Sequence, residues 1–116
     1  MQASQIGFNP HYSSDNPTVE DITALMGYAF LEFGAPWCGH CKAAASAIEQ
    51  SLSPLQVAHI KVYDGKGLAL GRAFKVRRWP SLILLKDGIE QARVVRPTGT
   101  ADMSDLLATF KSSQAS

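Results

Sequence analysis

The chain reads as an α/β domain, a central mixed sheet of four to five strands flanked by helices on both faces. Three observations carry this. Two apolar runs, Tyr28–Phe33 and Gln56–Tyr63, enclose a helical pattern from Cys38 to Leu52, the order of a βαβ unit. Two further runs, Ser81–Lys86 and Ile89–Arg96, meet at Asp87-Gly88, a dipeptide suited to a tight hairpin. A last helical pattern, Met103, Leu106, Leu107 and Phe110, then supplies another apolar stripe to cover a sheet face.

Taken in order, residues 1–16 read as a polar N-terminal arm, broken by Asn9-Pro10 and by the stretch Ser13 to Asn16. Within it, Ile6 to Phe8 can add a short edge strand. Asn16 reads as an N-cap with Pro17 at the first helical position. Val19, Ile22, Leu25 and Met26 then share one face, and Gly27 stops a helix of about ten residues. Tyr28–Phe33 is apolar at nearly every position, as a strand covered on both faces must be. The helix from Cys38 ends before Ser53-Pro54, where proline forbids continuation. Its alanines at 43, 44, 45 and 47 favour helix and allow close packing. Asp64-Gly65 turns the chain into a short helix, Lys66–Phe74. After the hairpin, Pro97 to Gly99 breaks the chain, Thr100 caps the last helix, and the tail, at least from 113 to 116, frays. Gly39 and Gly99 are read as turns of close backbone approach or positive φ. No linker or repeat divides residues 1–116, so one domain is expected.

A length of 116 residues is enough for a core, and 46% hydrophobic content is ordinary for a globular chain. Eleven basic against ten acidic residues leave a net charge of +1, so bulk charge points to no nucleic-acid or membrane partner. No stretch reaches the length of a membrane span, and the N-terminus lacks a basic start followed by a long apolar run. Two cysteines confined to one pair suit a reducing compartment, so the cytoplasm is the expected location.

Those two cysteines carry the chemistry. Cys38 falls where a strand and tight turn give way to a helix, and unpaired N–H groups at a helix start favour thiolate over thiol. Cys41 follows one helical turn later on the same face, within reach of a disulfide. A structural bridge over so short a loop would constrain little unfolded chain. A zinc site needs further ligands at suitable spacing, which His11, His40 and His59 do not supply. The pair therefore reads as a redox device with Cys38 as nucleophile and Cys41 as resolving thiol, and no metal or organic cofactor is implied beyond the Cys38–Cys41 disulfide itself.

Trp37-Cys38-Gly39-His40-Cys41-Lys42 after a hydrophobic strand resembles the active site of the thioredoxin superfamily, and the Cys-Gly-His-Cys form is similar to that of protein disulfide isomerases. Typical thioredoxins have proline where this chain has His40. The resemblance spans roughly residues 18–112 and implies the thioredoxin fold. It places Glu32, six residues before Cys38, as a buried acid able to exchange the proton of Cys41, with a raised pKa. Lys61 takes the position of a lysine near that acid. The alternative for Glu32 is an acid facing solvent at a strand end, and for Lys61 a solvated strand residue. Trp79-Pro80 resembles the cis-proline loop, which faces the cysteines and presents backbone to an extended substrate. Trp37 shields the site in the family, whereas the bulky Trp79 departs from it and either forms an apolar platform or narrows the groove.

Arg77 and Arg78 adjoin this loop, where charges can steer acidic partners although exposed arginines are commonplace. His59 has no nameable partner and reads as structural. A charged His40 beside Cys38 predicts a more oxidising pair than proline there would give. The function that follows is a monomeric thiol–disulfide oxidoreductase acting on protein disulfides, most simply a cytosolic reductase recycled by a thioredoxin reductase or a glutathione system. A disulfide isomerase or oxidase and a non-catalytic thioredoxin-fold adaptor are the alternatives.

Overall fold

In the computed structural model, residues 4–13, 16–65 and 68–115 are described. Five strands form one sheet in the order β1-β3-β2-β4-β5. They are β1 (Ser4–Ile6), β2 (Tyr28–Gly34), β3 (Ala58–Tyr63), β4 (Ser81–Lys86) and β5 (Ile89–Val95). The helices are α1 (Val19–Thr23), α2 (Gly39–Leu52), α3 (Ala69–Ala73) and α4 (Ser104–Ala115). β2 and β3 run parallel, joined by α2, while β1 and β4 lie antiparallel to their neighbours and β4 to β5. This is the mixed, helix-covered sheet expected, with the five-strand count.

Central position explains the composition of β2. It is hydrogen-bonded on both edges, and every residue from Ala29 to Gly34 is buried. Alternation sends Phe30 and Glu32 to one face and Leu31 and Phe33 to the other. On the first face Phe30, Leu82 and Leu84 pack against Ala44, Ala47, Ile48 and Leu52 of α2 and Met103, Leu106 and Phe110 of α4. On the second, Leu31, Phe33, Ile60, Val62 and Ile83 meet Ile22 of α1 and Leu70 of α3. Each large side chain buried in this way contributes about 2 kcal/mol. Glu32 is therefore an acid on the α2 face of the central strand, 2% exposed.

Several boundaries differ from the sequence expectations, each for a local reason. Thr18, not Asn16, caps α1: its hydroxyl accepts from Asp21 N at 3.0 Å and Asp21 Oδ2 accepts from Thr18 N at 2.9 Å, so the helix starts at Val19 and is only five residues long. The edge strand lies at Ser4–Ile6 and stops where Gly7 takes φ +88°. The third strand begins at Ala58, two residues later than expected, and α3 covers Ala69–Ala73; Lys66 and Gly67 of the expected helix lie outside the described residues. The hairpin turn is as read, with positive φ at both Asp87 (51°) and Gly88 (77°). A 3₁₀ turn, Thr100–Met103, leads into α4, and its start is held by Asp102, whose Oδ2 accepts from Thr98 N at 2.9 Å. The expected frayed tail is instead helical through Ala115, and Tyr28 Oη donates to Ser113 Oγ at 2.8 Å.

The N-terminal arm is the largest departure. It is laced to β3: Gly7 N donates to Val57 O, Asn9 Nδ2 to His59 O and Ser13 N to Lys61 O, at 2.9–3.2 Å. That path carries residues 8–13 along the sheet to the end where α2 begins.

Candidate active site

The turn from β2 into α2 presents the two cysteines. Cys38 is the N-cap of α2, with extended backbone, and its Sγ accepts from Cys41 N at 3.2 Å. Both are free thiols, 8% and 6% exposed. Ala35, Cys38 and Cys41 form one small cluster, and Trp79 packs against it. The Trp79–Pro80 bond is cis, as the resemblance implies.

On the Cys38 side lies a groove of about 420 Å³. Trp37, 64% exposed, meets Trp79 edge-on with ring centres 5.5 Å apart, and the two form its apolar part. Each indole is oriented by a hydrogen bond: Trp37 Nε1 donates to Tyr63 Oη at 3.2 Å and Trp79 Nε1 to Asp64 Oδ2 at 3.0 Å. Burial pushes the Asp64 carboxyl up, and the Trp79 indole pulls it back. Gly71 makes room for that carboxylate, since a methyl group there would collide with it. Gly39 and His40 are exposed and line the groove. The reading of Gly39 and Gly99 as tight or positive-φ positions does not hold, because neither has positive φ and a methyl group at either meets open space. At Gly39 the missing side chain leaves the approach to Cys38 open.

On the Cys41 side lies a smaller cavity of about 250 Å³, where Tyr12, Lys42 and Lys61 stand among apolar residues. Gly34 forms the floor, where a methyl group would come within 2.7 Å of Tyr12 Oη and 2.8 Å of Cys41 Sγ. The Tyr12 hydroxyl is hydrogen-bonded to the Cys41 sulfur. Burial pushes the Cys41 thiol up to about 11; the Cys38 sulfur adds to this, while the Ala35 backbone and the Tyr12 hydroxyl pull it down. Burial, with the charges of Glu32 and Cys41, holds the Tyr12 phenol far above its usual range.

Glu32 does not pair with Lys61. The two are register partners across β2 and β3, but the long lysine side chain turns toward the arm. Its Nζ donates to Pro10 O at 3.4 Å and sits 4.4 Å from the centre of the Tyr12 ring. Glu32 Oε1 instead meets His59 Nε2 at 2.8 Å, with the imidazole fully buried. Asn9 N lies 2.9 Å from His59 Nδ1, and a backbone N–H can only donate. Nδ1 is therefore an acceptor, the proton is on Nε2, and a neutral imidazole donates to the Glu32 carboxylate. The reading of His59 as partnerless is corrected by this contact.

Sequence reasoning missed Tyr12, His59, Asp64 and Arg96. Arg96 closes the apolar run Ile89–Arg96, yet it follows β5 with φ 54°, donating N–H to Pro80 O at 3.0 Å and Nε–H to Trp79 O at 2.9 Å. Strand alternation places His59 on the Glu32 face, and only the register between β2 and β3 brings the two together. Nothing local marks Tyr12 or Asp64.

A paired thiol at a helix start, packed against a cis-proline loop on this sheet order, defines the class of thioredoxin-fold disulfide oxidoreductases. The thioredoxin family model matches residues 15–112. A thioredoxin of Mycolicibacterium smegmatis is 32% identical over 102 residues, 81% of this chain and 91% of that protein. The chain belongs to the thioredoxin family. Among solved structures, reduced thioredoxin 2 from Pseudomonas aeruginosa is similar with a TM-score of 0.76 and 40% identity, covering 84% of this chain and 92% of that one. A probable protein disulfide-isomerase A4 of Caenorhabditis elegans is 38% identical over 58 residues, 50% of this chain but 9% of that much longer protein. Among the described residues no helix is long and apolar enough to cross a membrane, and no cluster of three metal-binding side chains is present.

Proposed function

We propose that the chain acts as a monomeric, single-domain cytoplasmic reductase of protein disulfides, with Cys38 as nucleophile and Cys41 as resolving thiol. The observation that carries this is the contrast in what each sulfur faces. The Cys38 sulfur lines the larger groove beside Trp79, while Cys41, one turn behind it, lines a smaller cavity of about 250 Å³ together with Tyr12 and Lys61. Attack by the Cys38 thiolate breaks the substrate S–S bond, forms a mixed disulfide and expels one substrate thiolate, which takes up a proton. Cys41 then gives up its proton and attacks Cys38 Sγ, closing the Cys38–Cys41 bond and expelling the second substrate thiolate. Two electrons and two protons pass from the dithiol to the substrate. A thioredoxin reductase or a glutathione system returns them, so no metal or organic cofactor enters.

A thiol held near 11 needs help to ionise at neutral pH. Glu32, hydrogen-bonded to His59, serves as the base, and Tyr12 donates to the Cys41 sulfur as it becomes negative. Lys61 acts on this network through Tyr12. Trp37, Gly39, Trp79 and Pro80 shape the substrate side, and His40 tunes the pair from beside Cys38.

An isomerase or oxidase is the second reading, favoured by the Cys-Gly-His-Cys sequence and the match to a disulfide isomerase. The potential measured against glutathione buffers separates the two, since an isomerase equilibrates well above a dedicated reductase. Insulin reduction tests the enzyme against an adaptor. Cys38→Ser abolishes turnover if the chain is an oxidoreductase; turnover that survives the substitution removes the proposal.

A further inference from the structure

We propose that the groove beside Cys38 selects disulfides whose flanking polypeptide carries carboxylates, an inference that rests on the oxidoreductase reading above. The chain as a whole is nearly neutral, with eleven basic and ten acidic residues. The groove is not. Arg77, Arg78 and Arg96 line it together with His40, and among the described residues no carboxylate does. Asp64, the acid hydrogen-bonded to Trp79, is buried with Oδ2 committed to the indole N–H and is not among the groove residues.

The arginines are also unspent. Among the described residues, none of the three forms an ion pair, and none stacks on Trp37 or Trp79. Arg96 is held in place: its left-handed backbone is locked by the bond to Pro80 O, and Nε is fixed on Trp79 O. A non-glycine residue in that conformation persists only where its surroundings hold it. Its terminal nitrogens make no hydrogen bond among the described residues, and the residue lines the groove. A fork of donors fixed this way loses little freedom on meeting a carboxylate.

The same groove contains the nucleophile and an exposed tryptophan edge, so its occupant combines a disulfide, apolar side chains and negative charge. An acidic polypeptide segment beside the cysteine under attack has all three. Exposed charges at such a rim act mainly on encounter and register, and their effect weakens with salt.

The test uses three disulfide-linked peptides, identical except that the residues beside each cysteine are Glu, Ser or Lys. With the wild-type protein at low salt, kcat/KM for the Glu peptide should exceed that for the Lys peptide by about tenfold or more, and the ratio should fall toward one at high salt. Arg77→Glu with Arg78→Glu should invert the order. Equal rates for the Glu and Lys peptides, with the Ser peptide still reduced, overturn the selectivity while leaving the oxidoreductase reading in place. A Glu preference that does not respond to salt overturns it as well. No reduction of any of the three removes both.

Discussion

Cys38 and Cys41 are one helical turn apart and face opposite kinds of surroundings. Cys38 looks onto an open, cationic groove walled by Trp37, Trp79 and arginines. Cys41 lines a smaller cavity with Tyr12 and Lys61, the near part of a polar network that continues through the charge of Glu32 on Tyr12 to His59. A two-step exchange requires this division. The first sulfur must reach a bulky partner, and the second must wait, protonated and shielded, until a mixed disulfide forms beside it. The groove decides which partner is met; the network decides when it is released.

The largest effect comes from removing the second sulfur. Cys41→Ser leaves the groove intact, so the protein should stop at the mixed disulfide. Mass spectrometry should find substrate joined to Cys38 in near-stoichiometric yield, and its absence after incubation with a reducible protein would show that the groove does not deliver substrate to Cys38.

Glu32→Gln acts on the network alone. Glutamine keeps an oxygen to accept from His59 Nε2, so the fold should survive, but it cannot take a proton. The resolving step, followed by stopped flow, should slow by up to roughly 10²–10⁴ at neutral pH, with the first attack unchanged. A resolving rate equal to wild type across the pH range would return Glu32 to a purely structural role.

Tyr12→Phe deletes one hydroxyl and no packing. Loss of a donor to an ionising sulfur should raise the Cys41 thiol further above about 11 and slow resolution by roughly tenfold. Thiol titration and the single-turnover rate must move together; a slower rate with an unmoved titration would assign Tyr12 to positioning instead.

The buried thiol also links stability to pH. Folding lifts Cys41 from its ordinary 9.0 to about 11, so the folded state favours the protonated form. That contribution is complete below about pH 9 and is lost as pH rises to about 11. Urea unfolding of the dithiol form should weaken over this window more than that of the disulfide form, which has no thiol to titrate. Parallel curves would mean that the burial of Cys41 carries no linkage.

The smallest change belongs to His40, on the groove side. Its cationic form beside Cys38 favours the reduced state, so His40→Pro should lower the reduction potential by on the order of 10 mV, the value of one exposed charge interaction. Equilibration of both proteins with glutathione buffers reads this directly.

What the sequence determined by itself is local. Strand, turn and helix around Cys38, the Asp87-Gly88 hairpin and the apolar faces of β2 and α2 follow from residues a few positions apart, through capping, positive φ and periodicity. The resemblance added the cis bond at Trp79–Pro80 and the burial of Glu32, both present in the structure. Tertiary structure decided which groups surround each sulfur. His59 and Glu32 are 27 residues apart, Trp79 and Asp64 15, and Arg96 and Trp79 17. Lys61 shows why such pairs escape a linear reading: it stands directly across from Glu32 in register, yet its flexible stem swings out to Tyr12 and Pro10, while the short, rigid ring of His59 stays beneath α2. Tyr12 depends on a still longer chain of causes, because nothing in its neighbours places it at Cys41. Backbone bonds from the arm to β3 carry it there, and the bare floor at Gly34 leaves space for both its hydroxyl and the sulfur.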